Sequence, residues 1–100
     1  MKPKGVEFYF SAKVWQHQGQ GGWYFVSLPV EISKEIRDSL QFTKEGWGRL
    51  KADAKIGNTN WKTAIWFDTK HNTYLLPIKA SVRKAAQILV DEMISIYIWV

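Results

Sequence analysis

One hundred residues, 46% hydrophobic and 15% aromatic with six tryptophans and no cysteine, suffice for one modest core and exclude disulfides, thiolate chemistry and a disordered composition. Fourteen Lys plus Arg against nine Asp plus Glu leave a formal charge of +5, which favours encounters with polyanions but serves solubility equally well. No segment reaches the ~20 apolar residues of a membrane span, and the basic start Met-Lys-Pro-Lys precedes no signal-peptide run, so residues 1–100 are expected to form a single soluble, cytoplasmic domain.

Period-2 alternation dominates the chain, as in strands with one face on a core. Val6, Phe8, Phe10, Ala12 and Val14 share one face of a first long strand, with Glu7, Tyr9, Ser11, Lys13 and Trp15 on the other. Gln18-Gly19-Gln20-Gly21-Gly22 reads as a turn, and Trp23 to Leu28 as the returning strand of a hairpin. Glu31 to Leu40 carries Ile32, Ile36 and Leu40 at helical spacing, with Ser33 as cap. Leu50, Ala52, Ala54 and Ile56 then alternate with Arg49, Lys51, Asp53 and Lys55. Gly57-Asn58 suits a tight turn, and Trp61, Thr63, Ile65 and Phe67 resume the alternation to complete a second hairpin. Lys70-His71-Asn72 precedes a strand from Thr73 to Ile78. Ser81 to Leu89 reads as a helix placing Val82, Ala85, Ala86 and Leu89 on the core and Arg83, Lys84 and Gln87 outward, with Ser81 capping. Ile94, Ile96, Ile98 and Val100 form the core face of the last strand.

Leu28-Pro29-Val30-Glu31-Ile32-Ser33 and Leu76-Pro77-Ile78-Lys79-Ala80-Ser81 align without a gap. Proline removes a ladder donor and biases its predecessor towards extended geometry, so each Leu-Pro marks a corner where pairing ends and a helix begins. Two such corners suggest two related halves of three strands that close on each other, which also removes exposed sheet edges.

The ordered motifs Gly-Gly-Trp-Tyr-Phe-Val-Ser-Leu-Pro, Trp-Gly-Arg-Leu-Lys-Ala-Asp-Ala-Lys-Ile-Gly-Asn-Thr-Asn-Trp-Lys-Thr-Ala-Ile and Tyr-Leu-Leu-Pro-Ile-Lys-Ala-Ser-Val-Arg-Lys-Ala resemble the small prokaryotic proteins of domain of unknown function 1905, over nearly the whole chain. The resemblance implies a mainly β fold, a partly open six-stranded Greek-key β-barrel with short helices at its corners, and no particular activity. Where that family has Gly-Asp before its final strand, this chain reads Leu89-Val90-Asp91-Glu92-Met93, which implies an altered or longer turn. The run from Pro77 to Ala85, together with the acidic turn and alternating strand that follow it, is also similar, over about a quarter of the chain, to the swapped-hairpin barrels of bacterial transition-state regulators and antitoxins, which bind DNA.

No motif carries catalysis. His17 and His71 lie in turns without ligand-spaced partners, so neither a metal nor a cofactor is expected. Glu31, Glu35 and Asp38 sit on a mixed-charge helix face that gives no reason for separated pKa values. Ser27, Ser33, Ser81 and Ser95 lack a nucleophile elbow, and the glycine-rich turn lacks the Lys-Ser/Thr and helix of a phosphate loop. The expected role is therefore a non-enzymatic binding or interaction module. Tyr9, Trp15, Trp66, Tyr97 and Trp99 fall opposite the core faces; the expectation is that the two helices cover them or that they join a homodimer. The alternative partner is nucleic acid, with Arg49, Lys51, Lys62, Lys79, Arg83 and Lys84 on phosphates and these rings, Trp66 among them, interleaved with Lys13, Lys51, Lys55 and Lys62 to stack bases. A small-molecule-binding or catalytic barrel whose site leaves no local trace is the further alternative.

Overall fold

The computed structural model describes residues 5–19, 21–40 and 48–100. In chain order, β1 (Glu7–Lys13), β2 (Trp15–Gln16) and β3 (Tyr24–Ser27) precede α1 (Val30–Leu40). The meander β4 (Arg49–Ile56), β5 (Thr59–Asp68) and β6 (Thr73–Pro77) leads to α2 (Ala80–Ala86) and β7 (Met93–Trp99). Every pairing is antiparallel, in the order β1-β7-β4-β5-β6-β3-β2. The meander β4-β5-β6 has β3, reached through α1, beside β6, which is a Greek key.

Seven strands stand where the sequence suggests six because the first long strand is interrupted at Val14. On one side of this residue the chain pairs with β7, and on the other with β3. The two ends of the sheet are thus consecutive in the chain, and the sheet curls into a partly open barrel. This also corrects the first hairpin. Only Trp15↔Phe25 and Gln16↔Tyr24 pair across it, because Glu7 to Lys13 is committed to β7; Gln20 of its turn lies outside the described residues. The second hairpin forms as its sequence requires, with Ile56↔Thr59 closing a two-residue turn in which Gly57 takes φ +58°.

The alternating inward residues meet in one core. Leu28, Ile36, Ile65, Leu76, Ile78, Ile96 and Ile98 are fully buried in it. Val6, in contrast, is 53% exposed because it precedes β1.

Both Leu-Pro corners are present: α1 begins directly after Pro29, and Pro77 is the last residue of β6. Repeat-equivalent strands are neighbours, β3 beside β6 and β4 beside β7. At the offset of the repeat Ser27 corresponds to Leu75, and these two are themselves register partners. The strand order is thus the one expected of two halves in which β1/β2 corresponds to β5, β3 to β6, and β4 to β7.

Neither serine caps its helix. Ser33 lies inside α1, fully buried, its own N–H bonded to the Pro29 carbonyl at 2.9 Å. Its hydroxyl oxygen accepts the Tyr74 N–H at 3.0 Å and so ties α1 to β6. Ser81 is exposed within α2, where Lys79 occupies the capping position without a side-chain bond. The Leu40 side chain lies outside the described residues. The α2 helix stops at Ala86, earlier than the apolar spacing suggests. Gln87 takes the left-handed conformation (φ 54°), Ile88 N–H reaches back to Arg83 O at 2.9 Å, and Gln87 N–H to Lys84 O at 3.3 Å. This left-handed terminus reverses the chain. Ile88, rather than Leu89, is consequently buried, and Ala85 faces outward. The turn after it stays tight despite the missing glycine: Glu92 N–H bonds Leu89 O at 3.2 Å, Asp91 adopts φ 68°, and the Glu92 carboxylate accepts the Leu89 N–H at 2.9 Å. Aspartate tolerates this backbone region better than most side chains.

The contrast between the serines is measurable by urea unfolding. Ser33→Ala should cost about 1–3 kcal/mol, because it strands the buried Tyr74 N–H, while Ser81→Ala should change stability by less than ~0.5 kcal/mol. Equal losses would show that Ser33 contributes no more than a surface hydroxyl.

Candidate functional site

Strand alternation sorts the outer side chains into rows. On the β4–β5 ladder Arg49 stands opposite Trp66, Lys51 opposite Ala64, Asp53 opposite Lys62 and Lys55 opposite Asn60. Their inward neighbours Ala52, Ala54, Trp61 and Ile65 belong to the core. Across β6 and β3 the same rows continue as Trp66↔Leu75, Leu75↔Ser27 and Pro77↔Phe25, and β2 adds Trp15 opposite Phe25.

These rows assemble a pavement of rings outside the barrel. The Trp23 ring stacks near Phe25 at 6.2 Å between centroids, Trp66 lies 6.0 Å from Trp23 and 6.3 Å from Phe25, and Trp15 lies 5.2 Å from Phe25. Phe25 and Ala64 are each only 7% exposed yet stand apart from the interior core, so the pavement buries apolar surface of its own. Trp15 is half-buried there, and its indole N–H donates to Ser27 Oγ at 3.0 Å. Trp23 and Trp66 remain 51% and 39% exposed.

A second set of rings lies on β1 and β7. Tyr9 and Tyr97 are register partners 4.6 Å apart, Tyr97 stacks near Trp99 at 6.0 Å, and the Trp99 N–H donates to Glu7 Oε1 at 3.1 Å. β4 connects the two sets, since Asp53 faces Trp99 and Lys55 faces Tyr97 on its other edge.

The helices do not cover these rings, contrary to the first expectation from the sequence. Ile36 of α1 and Val82 of α2 enter the interior core instead. Each helix also sets an arginine on a ring, Arg37 at 4.0 Å over Phe67 and Arg83 at 3.7 Å over Tyr24. Arg83 is half-buried and its Nε–H donates to Ile78 O at 3.2 Å, so it holds the α2 corner together rather than pointing into solvent.

Of the sequence-derived candidates, Arg49, Lys51, Lys62 and Trp66 share one outer face. Lys79, Arg83 and Lys84 belong to the α2 corner, where Lys79 and Lys84 are exposed. Trp23 and Phe25 are the residues that sequence reasoning missed. Their signal was present, because Trp23, Phe25 and Ser27 alternate with the core residues Val26 and Leu28.

Among the described residues two groups titrate away from their ordinary values, and neither is one of the pavement's rings. Asp68, the last residue of β5, accepts from Lys70 N–H at 3.0 Å and sits 2.7 Å from His71 Nδ1. The His71 hydrogen bond, above all, holds its carboxyl below the usual 3.8. Burial pushes the Tyr74 phenol up, with Arg37 acting the other way. Among the described residues no helix is long and apolar enough to cross a membrane.

Residues 10–98 match the family described as a domain of unknown function, DUF1905, and the chain belongs to that family. No curated protein matches it.

Two stability predictions follow from this placement. Trp66→Ala should cost about 1–2 kcal/mol, as its ring packs only within the outer pavement, whereas Trp61→Ala, in the core, should cost about 3–5 kcal/mol. Equal losses in thermal melts would contradict the inside–outside assignment. Asp68 has a depressed pKa, so its contribution is complete above about pH 4 and is lost as pH falls through the folded value. Asp68→Asn should therefore destabilise at neutral pH and lose that effect as pH falls through the folded value; a loss independent of pH in denaturant titrations would remove the His71 contact as its source.

Proposed function

We propose that the protein is a non-enzymatic binding module that takes its ligand on the outer wall of the barrel. The observation that carries this reading is the exposed pair Trp23 and Trp66, fixed by ring contacts and strand register beside Arg49. Ordered, half-exposed indoles next to a cation present a prepared surface, so little side-chain freedom is lost when a ligand docks. Among the described residues the indole N–H groups of Trp15 and Trp99 have protein acceptors, while those of Trp23 and Trp66 have none. Two donors thus remain for a ligand.

Catalysis is the less supported role. Among the described residues, the two groups with displaced titration are explained by a turn hydrogen bond and by burial in the core, although Asp68 shares the outer face of β5 with Trp66. Acid–base chemistry places such groups within hydrogen-bond reach of a bound substrate.

Nitrogen-15 NMR tests this reading, because each of the six tryptophans contributes its own indole resonance. The protein would be titrated with a single-stranded oligonucleotide, a DNA duplex, a sulfated polysaccharide and a neutral oligosaccharide. At least one should move the Trp23 and Trp66 indole signals and the amides of β4 to β6 while leaving Trp61 in place. Shifts confined to the barrel interior, or none with any ligand, would reject the proposal.

A further inference from the structure

Resting on that binding-module reading, we infer that the ligand is a short single-stranded nucleic acid, its bases stacked on two aromatic platforms and its phosphates following the cations between them. The first platform is Trp23, Phe25 and Trp66; the second is Tyr9, Tyr97 and Trp99. The β4–β5 ladder runs from one to the other. Arg49 faces Trp66 at its first end, and Lys55 faces Tyr97 six residues further along β4. At about 3.3 Å per residue this track is roughly 20 Å long, a length that suits the ~4 or more nucleotides held by small single-strand binders.

The chemistry of the track selects the ligand. Every base offers a π-face, so half-exposed rings bind successive bases without needing a particular sequence. Arg49, Lys55 and Lys62 have no ion pair among the described residues and lie on the same outer face as the rings. A neutral sugar would use the rings but not the cations. A duplex would use the cations but keeps its base faces stacked internally. A single strand uses both.

A second copy of this chain fits less well. In a twofold interface the same patch meets itself, so Arg49, Lys55 and Lys62 of one copy would approach the same residues of the other, each chain carrying a formal charge of +5. Asp53 is the one acidic side chain on this stretch of β4, opposite Lys62, and it provides a test of opposite sign.

Fluorescence anisotropy with labelled oligo-dT and oligo-U of about four and about twelve nucleotides, and with a DNA hairpin duplex, would be measured at about 50 and 200 mM salt. Single strands should bind at least about tenfold more tightly than the duplex. Trp66→Ala should weaken single-strand binding about five- to hundredfold with the salt slope unchanged, and Trp66→Phe should restore most of it. Arg49→Gln with Lys62→Gln should make the slope of log affinity against log salt shallower by about 1.4, roughly 0.7 for each lost phosphate contact. Tyr97→Ala should weaken the longer oligonucleotide more than the shorter one, and Asp53→Asn should tighten binding.

Binding of duplex and single strand alike, or single-strand binding indifferent to both Trp66 variants, would overturn the inference in favour of unspecific charge attraction. If the sulfated or neutral saccharide moves the Trp23 and Trp66 resonances and no oligonucleotide does, the ligand class is wrong and the binding-module reading stands. Dimerisation seen by sedimentation and abolished by Trp66→Ala, with no oligonucleotide bound, would overturn it in favour of a second copy. Circular dichroism melts establish that each variant is folded.

Discussion

The whole architecture depends on the exchange of partners at Val14. This residue is fully buried; its N–H donates to the Glu92 carbonyl at 3.0 Å, and its carbonyl accepts the Asp91 N–H at 2.7 Å. One residue further on, Trp15 is already opposite Phe25 of β3. A single extended segment therefore belongs to both ends of the sheet. Without that shared strand, β7 and β3 would both be edges, open to pairing with other chains. The Val14 bonds also fix the turn that delivers β7 to its register, so closure and the placement of the last strand are one constraint.

Closure of this kind follows readily from two similar halves. Each half supplies an extended strand, a second strand ending near a Leu-Pro corner, a short helix, and a third strand that pairs with its equivalent in the other half. The proline is suited to this position because the chain must leave the ladder there, and the missing donor is no loss where pairing ends. The halves have diverged in how the helices are anchored. In α1 a buried serine hydroxyl bonds the neighbouring strand, whereas α2 relies on Val82 and on Arg83 laid over Tyr24. The two aligned serines therefore do different work, Ser33 bonding Tyr74 and Ser81 facing solvent.

Much of the barrel was legible because alternation is set by strand geometry itself. Ile94, Ile96 and Ile98 point inward wherever β7 is placed, and Gly57-Asn58 dictates a two-residue turn from local backbone preference alone. Partner choice was not legible, since Glu7 to Lys13 has the same pattern whether it pairs with β3 or with β7. Helix ends were read wrongly for a related reason. A serine after a proline looks like a cap in one dimension, but Ser33 lies a turn inside α1, where a tertiary acceptor role outweighs local capping. At Gln87 a left-handed backbone, usual for glycine, ended a helix whose apolar spacing ran on to Leu89. Of the seven candidate site residues, Arg49, Lys51, Lys62 and Trp66 fall on one outer face through strand alternation, while Lys79, Arg83 and Lys84 lie at the α2 corner. Arg83 was misread, because its engagement with Tyr24 and Ile78 depends on contacts that only the fold creates.

The division between interior and exterior bears directly on function. The inside of this barrel is filled by branched aliphatic side chains and a few rings, with Ser33 and Thr73 the only buried polar residues among those described. Such packing suits stability and leaves few polar groups to orient a ligand in the interior. On the outer wall the β4–β5 ladder alternates small core residues with long charged ones. Ala52 and Ala54 let strands approach closely within the core, and the same two-residue period puts Arg49, Lys55 and the Trp66 ring on the opposite face at fixed spacing. A closed ladder holds that spacing more rigidly than a loop does. The pattern that makes the core is thus also the pattern that arranges the outer wall.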